Sequence, residues 1–415
     1  MIILAIETSC DETAAAVLKA ETTTTEPEES VNFEILSNIV SSQVGLHSQF
    51  GGIIPNLAAR EHTKNITSVL EEALQKSAIK IKDIDLITVT RGPGLIPALL
   101  VGTSAAKTLS YVWEKPIVGV NHIEGHIYAN WIENPPTPFT KGEIKEEPRN
   151  ISTLFLKGIS LIFPPFRRGT KGDFKNIPGH STSPASADFG GREKEEIKEI
   201  IFPVLALVVS GGHTELVLMK DHKKFISVGA TRDDAVGEAF DKAARLLNLG
   251  YPGGPAISKA AENGTPGIYS LPRPMISSKN FDFSFSGIKT AVRELDAKTA
   301  NGAELQPSQA NNIAAEFQQA VVEVLISKTI KAAHKFSPKT IILAGGVAAN
   351  SQLRFQLAAK IKNTFPEIKF SVPPLQFCTD NAAMIAVAGY FHRQEATRKP
   401  WEVETDANIN VCPLL

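Results

Sequence analysis

The stretch IILAIETSCDETAAAVL, residues 2–18, decides the fold. Its first six residues, Ile2 to Glu7, are apolar without alternation until the glutamate, the pattern of a strand covered on both faces. A polar turn, Thr8 to Glu12, follows, and Ala14–Leu18 returns as a second strand. A stretch of the same plan, VLALVVSGGHTELVLMK, occupies residues 204–220. There Val204–Val209 is the apolar strand, Ser210–Thr214 a glycine turn and Glu215–Lys220 the return.

Similar elements follow each hairpin. After the first come a third strand at Phe33–Val40 and a helix over 61–77, with Ile66, Val69, Leu70, Ala73 and Leu74 at helical spacing. A strand at Leu86–Thr90, a helix over 97–113 opened by Pro97, and a strand at Ile117–Val120 complete that half. After the second come Phe225–Val228, helices over 234–248 and 309–334, and a strand at Ile341–Leu343 that ends in Gly345-Gly346. A helix from 350, a strand at 369–372 and a last helix over 380–392 close the pattern. Two hairpin-first α/β units, 1–132 and 201–415, are therefore expected to face each other across a cleft. Residues 133–200 differ in character, mixing Pro, Gly, Ser, Lys and Glu, and are expected to form a flexible surface insertion. Its basic part, Lys157–Lys175, has the charge to touch RNA phosphates, but a tolerated spacer is the simpler reading.

Composition narrows the function. The chain has 415 residues, 43% of them hydrophobic, enough for two cores. With 43 Lys and Arg against 44 Asp and Glu, the formal net charge is −1, so any nucleic-acid surface must be a local patch or be shared with a partner. The opening residues enter a strand at once, so no signal peptide is expected. No apolar run reaches the ~20 residues of a membrane span. Three cysteines without a CxxC pair fit a reducing cytoplasm better than a disulfide framework.

The sharpest chemical constellation is His122-Ile-Glu-Gly-His126, directly after a strand. On a helix beginning near Asn121, imidazoles at i and i+4 share one face and can grip one metal ion. Most isolated HxxxH matches are merely a polar helix face. A zinc protease places its glutamate beside the first histidine, whereas here Glu124 stands two residues on and points roughly the other way, which disfavours that reading. A third ligand must come from far along the chain. Asp380, where a strand region gives way to the last helix, is the candidate, and two imidazoles with one carboxylate suit iron or zinc.

Three turns have the residues of a nucleotide site. In Ser210-Gly211-Gly212-His213-Thr214 the glycines let backbone N–H groups approach a phosphate. In Thr8-Ser9-Cys10-Asp11-Glu12-Thr13 the hydroxyls can donate, while Asp11 and Glu12 can hold a cation or orient a nucleophile. Gly345-Gly346-Val347-Ala348-Ala349-Asn350 leaves room for a flat base. Each alone is an ordinary tight turn; their order on a duplicated fold is the signal. Asp241, in a helical stretch, can accept from a hydroxyl pair or be a surface charge. Tyr251-Pro252-Gly253-Gly254-Pro255 reads as a rigid loop in which Gly254 admits a ligand. Residues 281–287 alternate strictly, which predicts a half-buried strand whose phenylalanines are core. His47 to Pro55, with Arg60-Glu61-His62, is either a structural turn or a substrate-side loop.

Together these segments closely resemble the TsaD family, the bacterial tRNA threonylcarbamoyl transferases. The matching blocks are Ile6–Thr13, Gly51 to His62, Arg91–Gly94, Asn121–His126, Val209–Thr214, Gly237–Lys242, Tyr251–Pro255, Phe283–Lys289, Gly345–Asn350 and Cys378–Met384. The insertion at 133–200 departs from the family's usual pattern. The resemblance implies two duplicated RNase H-like, actin-like α/β domains with an inter-domain nucleotide cleft. It implies transfer of a threonylcarbamoyl group from threonylcarbamoyl-AMP to N6 of the adenosine at tRNA position 37, in tRNAs reading codons that begin with A, with release of AMP. By the same carry-over His122, His126 and Asp380 would bind one divalent metal, Fe2+ before Zn2+. Val208, Val209, Ser210, Gly211, Gly212, Asp241, Gly254 and Asn350 would line the adenylate site, which ATP or ADP can also occupy. His213 would lie near the metal or the phosphate. Asp11 and Glu12 are the candidates for a catalytic base, because their turn should face the cleft. The implied partners are tRNA and TsaB-like and TsaE-like proteins, in the cytoplasm and away from membranes. A small-molecule kinase of the same superfold, a metalloprotease or a non-enzymatic ATP-binding module would leave the histidine pair, or its spacing, unexplained.

Overall fold

A computed structural model of the chain describes residues 1–25, 28–132, 200–300 and 305–411. The expected insertion at 133–200, with its basic stretch, lies outside them except for Ile200. Strands β1 (Ile2–Glu7), β2 (Glu12–Thr25), β3 (Glu28–Ser42), β4 (Leu86–Gly92) and β5 (Ile117–Asn121) form one sheet in the order β3-β2-β1-β4-β5. Strands β6 (Val204–Val209), β7 (Thr214–Asp221), β8 (Lys224–Ala230), β9 (Thr340–Ala344) and β10 (Lys369–Ser371) form a second, β10-β9-β6-β7-β8. The two orders are the same topology. In each, the first strand pairs antiparallel with the second (Glu7 opposite Ala14; Val209 opposite Thr214) and parallel with the fourth.

Unbroken apolar character in β1 and β6 has a direct structural cause. Ile3 and Ala5 face a core layer between the sheets, while Leu4 and Ile6 face the layer under helices Pro55–Ser77 and Ile96–Trp113. Likewise Val204, Ala206 and Val208 enter the shared layer, and Leu205, Leu207 and Val209 face the helices of the second half. Two helices lie in the shared layer, His122–Tyr128 and Ala382–Phe391. Both are buried nearly all round, and the second is accordingly apolar on every face.

Three expectations are corrected. Residues 281–285 form no strand: Phe283 makes a single bridge to Thr231. Asp233 stops the pairing there, since its carboxylate accepts from the Phe285 and Ser286 N–H groups and both neighbouring hydroxyls, starting helix Ser286–Ala300. The phenylalanines are core, as read. Residues 253–255 are not loop but the first turn of helix Gly253–Ala261, whose leading N–H meets the Asp241 carboxylate at 2.7 Å. Finally, the chain from 382 onwards leaves the second sheet. Helix Ala382–Phe391 packs on β1 and β2, Thr397 bridges to Ile117, and Val403 joins the outer core of the first half.

Candidate metal centre and adjoining cleft

The sheet delivers the histidines through a capped helix. At the end of β5 the Asn121 side chain accepts from the N–H groups of Ile123 (2.8 Å) and Glu124 (3.4 Å), so the helix starts at His122. His126 then falls one turn on, on the same face, with ring centroids 4.6 Å apart. Asn381 does the same for the last helix by accepting from the Met384 N–H at 3.1 Å, which leaves Asp380 just outside its first turn. The Asp380 Oδ1 lies 3.5 Å from His122 Nε2 and 3.2 Å from His126 Nε2. One donor atom from each of the three residues fits within 4.8 Å.

The site meets a test of fit for a metal. His126 is 1% exposed, and neither of its ring nitrogens makes a hydrogen bond. A buried imidazole left this way is costly unless another group takes its lone pair. Nε2 faces the carboxylate that would share an ion with it, and two imidazoles with one carboxylate are a donor set for a divalent transition metal. Burial alone would raise the Asp380 carboxyl, but the imidazoles beside it hold it well below the carboxylate range. Glu124, the one acid between the two histidines, turns away: its carboxylate meets His392 Nε2 at 2.5 Å.

Glu7, which sequence reasoning passed over as part of a strand, is wholly buried behind the histidines. One carboxylate oxygen accepts from the Ser9 N–H at 2.5 Å; the other accepts from the Thr90 hydroxyl and lies 3.1 Å from His122 Nδ1. Burial pushes this carboxyl up, and the charge and hydrogen bond of His122 reverse the shift. Its visible signal was a lone acid closing an otherwise apolar strand.

Other predicted residues gather on two sides of this centre. From the first half, the Ser9 hydroxyl lies 3.2 Å from His122 Nδ1, which brings its turn to the triad, and in that turn Glu12 is pushed up to about 10 by burial and by the Asp380 and Asp11 carboxylates. His62 braces that turn, bonded to the Thr13 hydroxyl (2.7 Å) and the Cys10 carbonyl (3.0 Å). From the second half, His213 is pushed down to about 4 by burial and by the charges of His122 and His126.

Ser210, Gly211 and Gly212 form the β6–β7 turn, with both glycines exposed and open space where a Cβ would stand. Gly237 abuts this turn, Gly253 abuts Asp241, and Gly345 abuts the Val209 carbonyl, so the predicted segments do adjoin one another. Gly254 also has open space above it. Val208 and Val209 point into separate core layers, leaving only their backbone for a ligand. Asn350 is heavily engaged within the protein. Its oxygen caps helix Ser351–Thr364 at the Leu353 N–H (2.9 Å), and its nitrogen donates to Ser258 (3.0 Å) and Gln318 (2.8 Å). Across the cleft, Arg245 donates to the Gly51 carbonyl, and the Tyr251 phenol is pushed well up by burial, Asp11 and Asp241.

This arrangement can be compared with known proteins. The family model described as "TsaD: tRNA N6-adenosine threonylcarbamoyltransferase" matches residues 34–141 and 191–387. A Thermosipho africanus protein of that name is 44% identical over 99% of this chain and 100% of its own length. One from Thermomicrobium roseum is 43% identical over 99% of this chain and 96% of its own. Among solved structures, HypF of T. kodakarensis superposes with a TM-score of 0.50 at 11% identity. That match takes in 95% of this chain but only 48% of HypF, and bears on the fold alone.

Proposed function

This chain belongs to the TsaD family of tRNA N6-adenosine threonylcarbamoyltransferases, and from that premise we propose how its cleft carries out the transfer. The donor is threonylcarbamoyl-AMP, a mixed anhydride. The acceptor is N6 of the adenosine at position 37 of tRNAs that read codons beginning with A. Attack of N6 on the carbamoyl carbon forms the new C–N bond, AMP leaves with the electron pair of the broken C–O bond, and N6 gives up a proton. Adenine N6 is a weak nucleophile, so alignment and charge stabilisation carry more of the acceleration than a strong base.

His122, His126 and Asp380 would hold one divalent ion, Fe2+ by preference with Zn2+ as the alternative. When bound it supplies Lewis acidity toward the donor's oxygens. The open Ser210–Gly212 turn receives the phosphate on its N–H groups, and the space above Gly254 admits the nucleoside. Asp241 accepts from the ribose hydroxyls, with Asn350 holding the floor beneath, and ATP or ADP can enter the same space. Asp11 would take the N6 proton, while Glu12, pushed up to about 10, keeps its own proton near neutral pH and would donate a hydrogen bond from the same turn. His213 borders both phosphate and metal. A formal net charge of −1 favours sharing the tRNA with TsaB-like and TsaE-like proteins. Among the described residues no helix is long and apolar enough to cross a membrane. Three cysteines without a CxxC pair favour work in the reducing cytoplasm. We read 1–132 together with the segment from 382 on as one working unit and 201–381 as the other, with 133–200 inserted between them.

The observation that carries this reading is identity of 42–44% over 99–100% of the chain with relatives of one activity. The test is to incubate the metal-loaded protein and its partner proteins with threonylcarbamoyl-AMP and an A-decoding tRNA, then digest the tRNA and measure its nucleosides by mass spectrometry. Threonylcarbamoyladenosine is expected. Its absence, with folded and metal-loaded protein, would refute the function; unchanged metal content in His122→Ala would refute the ligand assignment.

A further inference from the structure

The two histidines of the triad are held in different ways. His122 Nδ1 lies 3.1 Å from a Glu7 oxygen and 3.2 Å from the Ser9 hydroxyl. His126 Nδ1 is buried with no hydrogen bond at all. The Glu7 carboxylate accepts from the Ser9 N–H on one oxygen and from the Thr90 hydroxyl on the other, and that second oxygen also faces His122 Nδ1. A carboxylate held this way has a lone pair left for an imidazole N–H and no proton of its own to give. Facing it, His122 carries its proton on Nδ1. The Nε2 lone pair is then left on the side of Asp380 and His126. The backbone of Glu7 is fixed in the middle of the first sheet, paired to Ala14 on β2, and Thr90 stands on the neighbouring strand β4. Through this carboxylate β1 and β4 bear directly on the His122 ring.

We propose that Glu7 is the positioning residue of the metal centre: it sets the tautomer and ring orientation of His122 and strengthens it as a donor. His126, with no such partner behind its Nδ1, is then the weaker ligand. The inference rests on the metal reading above. A hydrogen-bonded carboxylate behind a ligating imidazole is a recurrent way to orient and strengthen it, and its loss costs about 10–100-fold in metal affinity.

The test uses Co2+ alone with the full chain, by chelator competition and by the visible d–d spectrum. Glu7→Gln keeps the volume but turns an NH2 group toward one of the three donors. Its Co2+ affinity is expected to fall by about 10–100-fold with a shifted spectrum, while thermal unfolding of the metal-free protein stays cooperative. Glu7→Asp, which restores the charge, is expected to recover part of the loss. Affinity and spectrum both unchanged in Glu7→Gln, while Asp380→Ala abolishes binding, would overturn the role of Glu7 and leave the metal site standing. No Co2+ binding by the unmodified chain would overturn the metal reading and this inference with it. Should Glu7→Gln fail to fold, 15N NMR of histidine-labelled, Zn2+-loaded unmodified protein decides. A proton on His122 Nδ1 is expected, and a bare Nδ1 refutes the proposal.

Discussion

The metal helix and the last helix touch through Gly125 and Ile385: a Cβ on Gly125 would come within 2.8 Å of the Ile385 Cδ1. That contact sets the distance between the helix bearing His122 and His126 and the helix that follows Asp380. Gly125→Ala needs only the Ile385 side-chain tip to move. Gly125→Val adds branching that Met384 also blocks, so the helices must part. Overpacking of this kind costs about 1–3 kcal/mol. We expect Gly125→Val to lower the unfolding midpoint and to lose bound metal, with Gly125→Ala near normal in both. Elemental analysis beside a thermal melt checks this, and full metal content in Gly125→Val would contradict it.

A pH-dependent stability follows from His222. Its ring stacks on Phe391, with centroids 3.8 Å apart and planes 11° apart, and burial pushes its pKa down to about 4. An unfolded histidine titrates near 6.5. Between these values the unfolded chain binds more protons than the folded one, so stability rises with pH across the window. The contribution is fully present above about 6.5 and is lost as pH falls toward 4. His222→Phe keeps the stack without the titration. Urea unfolding from pH 7 to 4.5 is expected to show a shallower acid loss for the variant; parallel curves would exclude His222 as the cause.

How much of this could be read from residues alone depends on the range of the interaction involved. His122 and His126 were legible because their spacing is one helical turn, and Asp380 because it precedes an apolar run that needs a start. Glu7 was not, since its partners Thr90 and His122 are 83 and 115 residues away. The alternation at 281–287 was a true burial pattern, but Asp233 had claimed the N–H groups a strand would use. The all-apolar face of Ala382–Phe391 revealed burial without saying which sheet would bury it. Strand β2 runs well past Leu18 and β3 begins well before Phe33 because these ends pair with each other, through residues such as Thr22 and Val31, without needing an apolar pattern.

Asn350 separates a structural role from a binding one. Its oxygen caps a helix, a contact whose removal costs about 0.5–2 kcal/mol, and its nitrogen serves Ser258 and Gln318. Asn350→Ala is therefore expected to reduce stability by that order. Asn350→Asp keeps the cap but puts a carboxylate oxygen against the Gln318 oxygen. If the side chain acts on the nucleotide mainly as a floor, Asn350→Asp will raise the donor KM with little change in kcat. A large fall in kcat at normal KM would assign it a part in the reaction itself.

Gly211 offers the cleanest test of the phosphate turn. Nothing in the protein lies within 4 Å of where its Cβ would stand, and its backbone is outside the left-handed region. Gly211→Val should therefore change stability by no more than about 0.5 kcal/mol, the usual range for a surface position. The same side chain would occupy the space in which a phosphate approaches the Ser210–Gly212 N–H groups. Gly237→Ala is the contrast, because its Cβ would meet the Ser210 carbonyl oxygen at 2.6 Å and must deform the turn itself. We expect Gly211→Val to melt normally yet lose AMP affinity by at least about tenfold, equivalent to 1.4 kcal/mol. Gly237→Ala should lose both stability and affinity. Calorimetric titration with AMP beside thermal melts separates the two, and normal AMP binding by Gly211→Val would remove the turn from the nucleotide site.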